Sequence, residues 1–193
     1  EDLINFVDDR LGHDFRYRLN SDKLAEEIGF VGAIAAAKHK TIQKSSRLLC
    51  LETSRSFPES PIGAGPILRV GDKTSVFGPE LTNTIANIMN KYQAWHKKFK
   101  WQRKLMPGGT CESTAFCAYG YLSTCLCLPL GNYHNMRDID GVLQKKKPAK
   151  IGPEIISIDD FHGLVRMLTV VCKNLDKRRS SLLMRGLETR FCK

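Results

Sequence analysis

The chain has 193 residues, of which 42% are hydrophobic and 26% are charged, and it carries a net charge of +10 at pH 7. This length and composition suit one main domain with a single hydrophobic core, and no apolar run approaches the roughly 18 residues of a membrane-spanning helix. The first residues also lack the basic-then-apolar order of a signal peptide, so we expect a cytoplasmic protein with no membrane partner.

The positive charge is unevenly distributed along the chain. Residues 1–30 carry eight acidic and four basic side chains, whereas residues 31–193 carry 12 acidic and 26 basic side chains. A surface this basic could attract nucleic acid, but the basic residues fall in short runs without an aromatic platform or a nucleic-acid-binding motif. We therefore expect these basic runs to lie in solvated loops and at helix ends, and this argues against a nucleic-acid partner.

The cysteines argue against a disulfide framework and against a zinc ribbon. There are seven of them, an odd number, and they do not form two Cys-x-x-Cys pairs. We expect reduced and mostly buried thiols. Cys125 and Cys127 alternate with leucines, so they share one face of a predicted strand as apolar side chains. Cys111 is expected near the candidate site.

Residues 5–30 differ in character from the rest of the chain. They include the run Asp-Arg-Leu-Gly-His-Asp-Phe-Arg-Tyr at positions 9–17, which resembles a segment near the C-terminus of dTDP-glucose 4,6-dehydratases. The chain lacks that family's Gly-x-x-Gly-x-x-Gly nucleotide fingerprint, its catalytic acids and its Tyr-x-x-x-Lys. The resemblance therefore implies no dehydratase chemistry, and His13, Asp14 and Arg16 are interpreted as loop residues.

Two adjacent carboxylates, Glu26 and Glu27, precede a predicted small-residue helix at positions 32–37. Adjacent side chains at the end of a strand point in different directions, so one carboxylate can ligate a metal while its neighbour accepts a proton from the attacking water. The alternative is that both carboxylates simply complement the dipole at the N-terminus of the helix. Taken alone, the pair favours this second interpretation.

From Gly29 onward the hydrophobic pattern alternates between helix and strand, which is typical of an α/β fold. The predicted helices cover residues 31–39 and 80–93, a segment ending at Tyr119, and residues 157–176, and the predicted strands cover residues 48–51, 67–70, 99–103 and 122–128. Residues 137–153 are interpreted as a basic linker or surface loop.

Two further polar residues follow predicted strands. Glu52 comes directly after the apolar strand at 48–51, and His134 lies in the loop after the strand at 122–128. Open α/β sheets place their sites at the carboxyl ends of their strands. A lone histidine is more often structural than catalytic, so the functional interpretation of His134 depends on the other acidic residues.

This ordered set, a glutamate pair, a strand-end acid and a Tyr-His turn before the last helix, resembles the M42 and M28-like co-catalytic zinc aminopeptidases over residues 26–176. The resemblance implies an α/β fold, a partial three-layer sandwich with a mixed sheet and helices on both faces. It divides the chain into a dehydratase-like segment at 1–25, a partial catalytic domain at 26–176 and a basic tail at 177–193.

The roles that this resemblance implies are those of metal-assisted hydrolysis of an N-terminal peptide bond. Glu26 is the general base, Glu27 and His134 hold one zinc ion, and Glu52 holds the other, with cobalt or manganese as substitutes. The family has a Gly-Gly-Thr-Asp run beside the metal site, whereas this chain has Cys111 and Glu112 where that run has Asp. Any role of Glu112 is therefore left open.

The family also uses an upstream histidine and an upstream aspartate that bridges the metals, and neither has a counterpart in the 25 residues before Glu26. We therefore expect weak metal binding and slow turnover, if any, and an exposed sheet edge that a second copy or a partner chain would cover. Two alternatives stay open. One is a non-catalytic remnant or interaction module on the same half-fold, and the other is a dehydratase-related product without its active site.

Overall fold

The computed structural model describes residues 4–5, 18–19 and 29–175. Its elements in chain order are β1 (Ile4–Asn5), β2 (Arg18–Leu19), α1 (Val31–Lys38), β3 (Arg47–Arg55), β4 (Ile67–Gly71), α2 (Pro79–Trp95), β5 (Gln102–Leu105), α3 (Glu112–Ala118), β6 (Leu122–Leu130), a 3₁₀ turn (Tyr133–Asn135), α4 (Ile139–Leu143) and α5 (Ile158–Leu175). β1 and β2 form a short antiparallel pair.

The larger sheet has four strands in the order β3-β6-β4-β5. β3 runs parallel to β6, β6 runs antiparallel to β4, and β4 runs parallel to β5. The last strand that the structure describes, β6, is therefore inserted between two earlier ones. This mixed sheet, interleaved with helices, confirms the predicted α/β class.

The register of the strands gives the sheet two faces of different chemistry. Residues that oppose each other on neighbouring strands point to the same side, and side chains alternate along each strand. Glu52 of β3 and Ile67 of β4 both lie opposite Cys127, and Arg69 of β4 lies opposite Cys125. One face, called here the thiol face, thus collects charges and cysteines. This arrangement confirms that Cys125 and Cys127 share a face.

The opposite face of the sheet is apolar and packs against α2 and α5. Its central residues, Leu68 of β4 and Leu126 of β6, oppose each other and are fully buried. They contact apolar side chains that recur at helical spacing on the two helices. The buried members of this core on the helices are Leu81, Ile85, Ala86, Ile88, Met89, Met167 and Val171.

The thiol face is covered by a second, smaller core. Phe77, Met106 and Cys111 pack there against Ile67 and the two strand cysteines. α3 follows directly after Cys111 and contacts β6 and α1. Helices therefore lie on both faces of the sheet, as the resemblance implied.

The strand that carries Glu52 is longer and less buried than predicted. The prediction placed a buried strand at 48–51 with Glu52 just beyond its end, but β3 pairs with β6 from Arg47 to Arg55, so Glu52 lies within the strand. β3 is also an edge of the described four-stranded sheet, and Leu51 is 56% exposed. The apolar run marked the strand, but backbone pairing continues through polar residues that the run did not include.

Two other predicted boundaries were wrong. The strand predicted at 99–103 begins later, at Gln102, and continues to Leu105 as β5. Phe99 and Trp101 precede this strand, and they pack against the apolar core. The linker predicted at 137–153 contains the short helix α4, whose N-cap Asp138 accepts a hydrogen bond from the Gly141 N–H. By contrast, the predicted start of α5 is confirmed, since the Ser157 hydroxyl accepts a hydrogen bond from the Asp160 N–H.

None of the helices within the described ranges combines the length and the apolar character that crossing a membrane requires. The predicted domain boundaries near Glu26 and after residue 176 fall outside the described residues, and they stay predictions.

Candidate metal centre

Arg69 organises the polar part of the thiol face. Its side chain is 3% exposed, and Nη1 donates hydrogen bonds to Ser54 Oγ at 3.2 Å and to Glu52 Oε2 at 3.4 Å. Nη2 donates to the Gly109 carbonyl oxygen at 2.8 Å. A buried cation needs a negative partner, and Glu52 supplies it. Arg69 thereby joins β3, β4 and the glycine loop before α3.

A second buried charge, Asp72, fixes that glycine loop from the other side. Asp72 Oδ1 accepts hydrogen bonds from the Thr74 and Ser75 N–H groups at 2.8 and 2.9 Å. Oδ2 accepts from the Cys111 N–H at 3.1 Å and from the Thr114 hydroxyl. Burial opposes ionisation of this carboxyl, but the hydrogen bonds from Thr114 and Thr74 outweigh it and lower the pKa of Asp72. The carboxylate therefore determines where Cys111 lies.

The loop brings a thiol and a carboxylate to Glu52. One ligand atom each from Glu52, Cys111 and Glu112 lies within 4.8 Å of the others. Cys111 is fully buried, and the two glutamates are half-buried. Carboxylate oxygen and thiolate sulfur are both zinc ligands, so the donor chemistry of this cluster fits a zinc ion.

A small cleft lies beside Glu52 and Arg69. Its volume is about 20 Å³, which is enough for one water molecule or one ion. Gly108 lies at its wall against Phe57, where a Cβ would approach the ring to 2.8 Å. The other lining residues include Ser54, Arg55, Met106, Gly109, Thr110 and Tyr133.

The thiols on this face differ in how readily they ionise. Hydrogen bonding with Cys125 lowers the pKa of the Cys111 thiol, and the charge of Arg69 acts in the same direction. Burial raises the pKa of Cys50 to about 12 and raises that of Cys125 well above its ordinary value. Cys111 is therefore easier to ionise than either of these neighbours.

His134 lies in the 3₁₀ turn after β6, with its backbone in the left-handed region at φ 58°. Its backbone N–H donates a hydrogen bond to Glu154 Oε1 at 3.0 Å, and the nearby Asn132 side chain donates to the Pro153 carbonyl at 2.7 Å. Tyr133 lines the cleft. His134 is not a member of the ligand cluster found among the described residues.

The structure describes two of the four predicted site residues. Glu52 lines the cleft, and His134 follows Tyr133, which also lines it. Glu26 and Glu27 fall outside the described residues, and the roles of all four residues stay predictions.

Sequence reasoning missed Arg69 and Asp72 as organising residues and left Glu112 without a role. A signal for Arg69 existed, because a charge between apolar residues of a buried strand requires a partner. For Asp72, the Asp-x-Thr-Ser pattern is a turn signature. The approach of Glu112 to Glu52 has no local signal, since it arises from the pairing of distant elements.

Comparison with known proteins identifies the fold. No protein-family model and no curated protein matches the chain. Among solved structures, the TET aminopeptidase from the marine sediment archaeon Thaumarchaeota archaeon SCGC AB-539-E09 superposes with a TM-score of 0.60 at 20% identity, over 79% of this chain and 38% of that one. The fold of the described chain is similar to part of the fold of a TET aminopeptidase.

Two other solved structures agree with this fold. Aminopeptidase APDkam598 from the archaeon Desulfurococcus kamchatkensis has a TM-score of 0.53 at 16% identity, over 75% of this chain and 38% of that one. PhTET1-12s has a TM-score of 0.53 at 18% identity, over 76% of this chain and 38% of that one. The chain therefore spans about two fifths of the length of these neighbours. None of the three is a dehydratase, and the dehydratase-like residues lie almost wholly outside the described ranges.

Proposed function

We propose that this chain carries part of the active site of a metal-dependent aminopeptidase-like hydrolase of peptide N-termini, with weak activity as a single chain. The observation that supports it most is the position of Glu52, beside a polar cleft on a sheet with the TET aminopeptidase fold. The neighbours named aminopeptidases support hydrolysis of this class at the level of the fold. We keep the cytoplasmic location as part of the proposal.

The proposed roles follow the prediction from sequence. Glu27 and His134 hold one zinc ion, Glu52 holds a second, and Glu26 accepts the proton of the attacking water. A bound zinc ion supplies a Lewis acid that polarises the peptide carbonyl. Arg69 orients Glu52 through the hydrogen bond to Oε2. The position of Arg69 is itself set by its hydrogen bonds to Ser54 and Gly109.

The test compares two peptides that differ only at the N-terminus, one with a free amine and one acetylated. We expect the zinc-loaded chain to cleave the free peptide and to leave the acetylated one intact. Glu26→Gln should lower kcat by about 100-fold or more with unchanged zinc content, since general base catalysis contributes about that much. Glu59→Gln, on an exposed loop, is the matched control and should behave as the parent.

Equal cleavage of both peptides would contradict the aminopeptidase assignment. Absence of turnover by the zinc-loaded parent, or full activity of Glu26→Gln, would contradict the catalytic proposal.

A non-catalytic interaction module is the second candidate, and the edge of the sheet favours it. Within the described residues β3 pairs on one side only, with β6, and Leu51 on it is 56% exposed. An open strand edge can accept another strand. We therefore also propose that the chain associates with a second copy or a partner chain. Among its structural neighbours, PhTET1-12s is a dodecamer in the asymmetric unit.

A further inference from the structure

We infer that Cys111 is a metal ligand, and that Cys111, Glu52 and Glu112 together bind one divalent ion with zinc-like preferences. The inference shares Glu52 with the proposed function and rests on that function only for the reaction that the ion would serve. Its own basis is the geometry of the thiol face. It assigns a role to Cys111 and Glu112, which replace an aspartate of the family pattern.

The distances suit a single ion. Zinc bonds of about 2.3 Å to sulfur and about 2.1 Å to oxygen place tetrahedral ligand atoms roughly 3.4–3.6 Å apart. The three ligand atoms lie within 4.8 Å of one another, so shifts of roughly 1 Å would close the site. Three protein ligands leave a fourth position open, as in catalytic zinc sites.

The thiol is held in place independently of any ion. Cys111 is the N-cap residue of α3 but does not cap the helix with its own side chain, whereas Ser, Thr, Asp or Asn normally does so. Its backbone is fixed instead by the hydrogen bond from its N–H to Asp72 Oδ2 at 3.1 Å. The backbone of Cys111 is thus fixed without an ion, and its sulfur lies beside two carboxylates.

The three ligands and Arg69 together carry a net charge that one divalent ion neutralises. Two carboxylates and a thiolate contribute three negative charges, and Arg69, which contacts Glu52 through Nη1 at 3.4 Å, contributes one positive charge. The remaining two negative charges equal the charge of one divalent cation. On binding, the sulfur–hydrogen bond of Cys111 breaks, a metal–sulfur bond forms, and the proton leaves to solvent.

The donor set also indicates which metals bind. A thiolate favours zinc, cobalt or cadmium over magnesium and calcium, which prefer oxygen ligands alone. The site should therefore select a thiophilic divalent ion, unlike a cluster of carboxylates alone.

Cobalt(II) is the probe for the test, because a thiolate bonded to cobalt gives an ultraviolet charge-transfer band that carboxylate and imidazole ligands do not give. We expect the metal-free chain to bind cobalt and to develop this band. Cys111→Ser should abolish the band, and Glu112→Gln should weaken cobalt binding at least tenfold. Cys117→Ser removes a half-buried thiol of α3 outside the cluster. This variant should keep both the charge-transfer band and the cobalt affinity of the parent.

A second variant guards against misfolding. Cys111→Asp keeps a ligand at this position but removes the sulfur, so it should bind cobalt without the band and keep the far-ultraviolet circular dichroism of the parent. Cobalt bound to the parent without the band, or a band that survives in Cys111→Ser, would overturn the inference.

The outcome separates this inference from the proposed function. Bound cobalt without the band, lost in Glu27→Ala and His134→Ala, would overturn the thiolate site and leave the proposed ligands standing. A thiolate band in a chain that cleaves no peptide would support the site and contradict the proposed function.

Discussion

Asp72 holds three parts of the chain together through one carboxylate. It accepts hydrogen bonds from its own turn at Thr74 and Ser75, from the backbone of Cys111 and from the hydroxyl of Thr114. Hydrogen bonds to a charged acceptor are stronger than those between neutral groups. The residue therefore affects both stability and the geometry of the candidate centre.

Replacing the Asp72 carboxylate should destabilise the folded chain. Asp72→Asn keeps the size of the side chain but cannot accept hydrogen bonds from both Cys111 and Thr114 at the former Oδ2, because an amide nitrogen only donates. We expect the free energy of unfolding to fall by about 2 kcal/mol, measured by urea denaturation at pH 7. Glu59→Gln serves as an exposed control, and an Asp72→Asn midpoint equal to that of the parent would contradict this role.

Asp72 should also make the free energy of unfolding depend on pH. Because the pKa of Asp72 is lower in the folded chain than its ordinary value, the folded state binds this proton less readily than the unfolded state. The stabilisation is complete above the unfolded pKa of about 3.9 and is lost as the pH falls through the folded pKa. The gap in unfolding free energy between the parent and Asp72→Asn should therefore narrow in acid. A gap that is constant down to pH 2 would exclude this carboxyl as the cause.

Single residues also show what a sequence can and cannot reveal about a site. Glu52 was found as a candidate because it follows an apolar run, and it lies at the cleft. Cys111 and Glu112 came forward only through a departure from a family pattern, since no local feature indicates that they approach Glu52. That approach depends on the pairing of β3 with β6 and on the turn held by Asp72.

Among the secondary-structure elements, β3 is the one through which we expect the chain to contact another chain. It forms an edge of the described sheet, and its exposed Leu51 lies on the face opposite Glu52. Native proteins usually protect such edges with charges or cover them with another segment. A nine-residue edge strand with an exposed leucine favours contact with another chain.

A lysine in place of Leu51 should weaken association with another chain and leave folding intact. For Leu51→Lys we expect a change of about 0.5 kcal/mol or less in unfolding free energy and a shift toward smaller species in sedimentation velocity. Leu143→Lys, at a 65% exposed leucine of α4, is the matched control. A monomeric parent, or equal effects of both lysines, would argue against β3 as the contact surface.

The elements differ in how well their sequence predicts them. α2 follows the prediction closely, because a proline at its first turn and apolar residues at helical spacing both mark it. The extent of β3 does not follow from its apolar run, because strand pairing includes polar residues when a neighbouring strand is available. α4 was missed, since five residues stabilised by an N-cap at Asp138 carry little hydrophobic pattern.

At the scale of the whole molecule, the fold follows from the sequence more directly than the site does. Alternating apolar segments predict an α/β sheet, and the described chain has a fold similar to part of three aminopeptidase structures at 16–20% identity. A sheet tolerates many apolar substitutions as long as the pattern is kept. A metal centre depends on side chains from separate elements meeting within a few ångströms, and no pattern along the chain encodes that distance.

The zinc content of the chain at equilibrium shows whether it binds catalytic metal. The chain is dialysed against excess zinc, and bound zinc is measured by mass spectrometry for the parent, Glu27→Ala, His134→Ala and the exposed control His162→Ala. We predict about two zinc ions per parent chain, about one in Glu27→Ala and in His134→Ala, and no change in the control. A parent that retains no zinc would rule out the proposed metal centre, and the polar cleft would then be an ion-paired part of the scaffold.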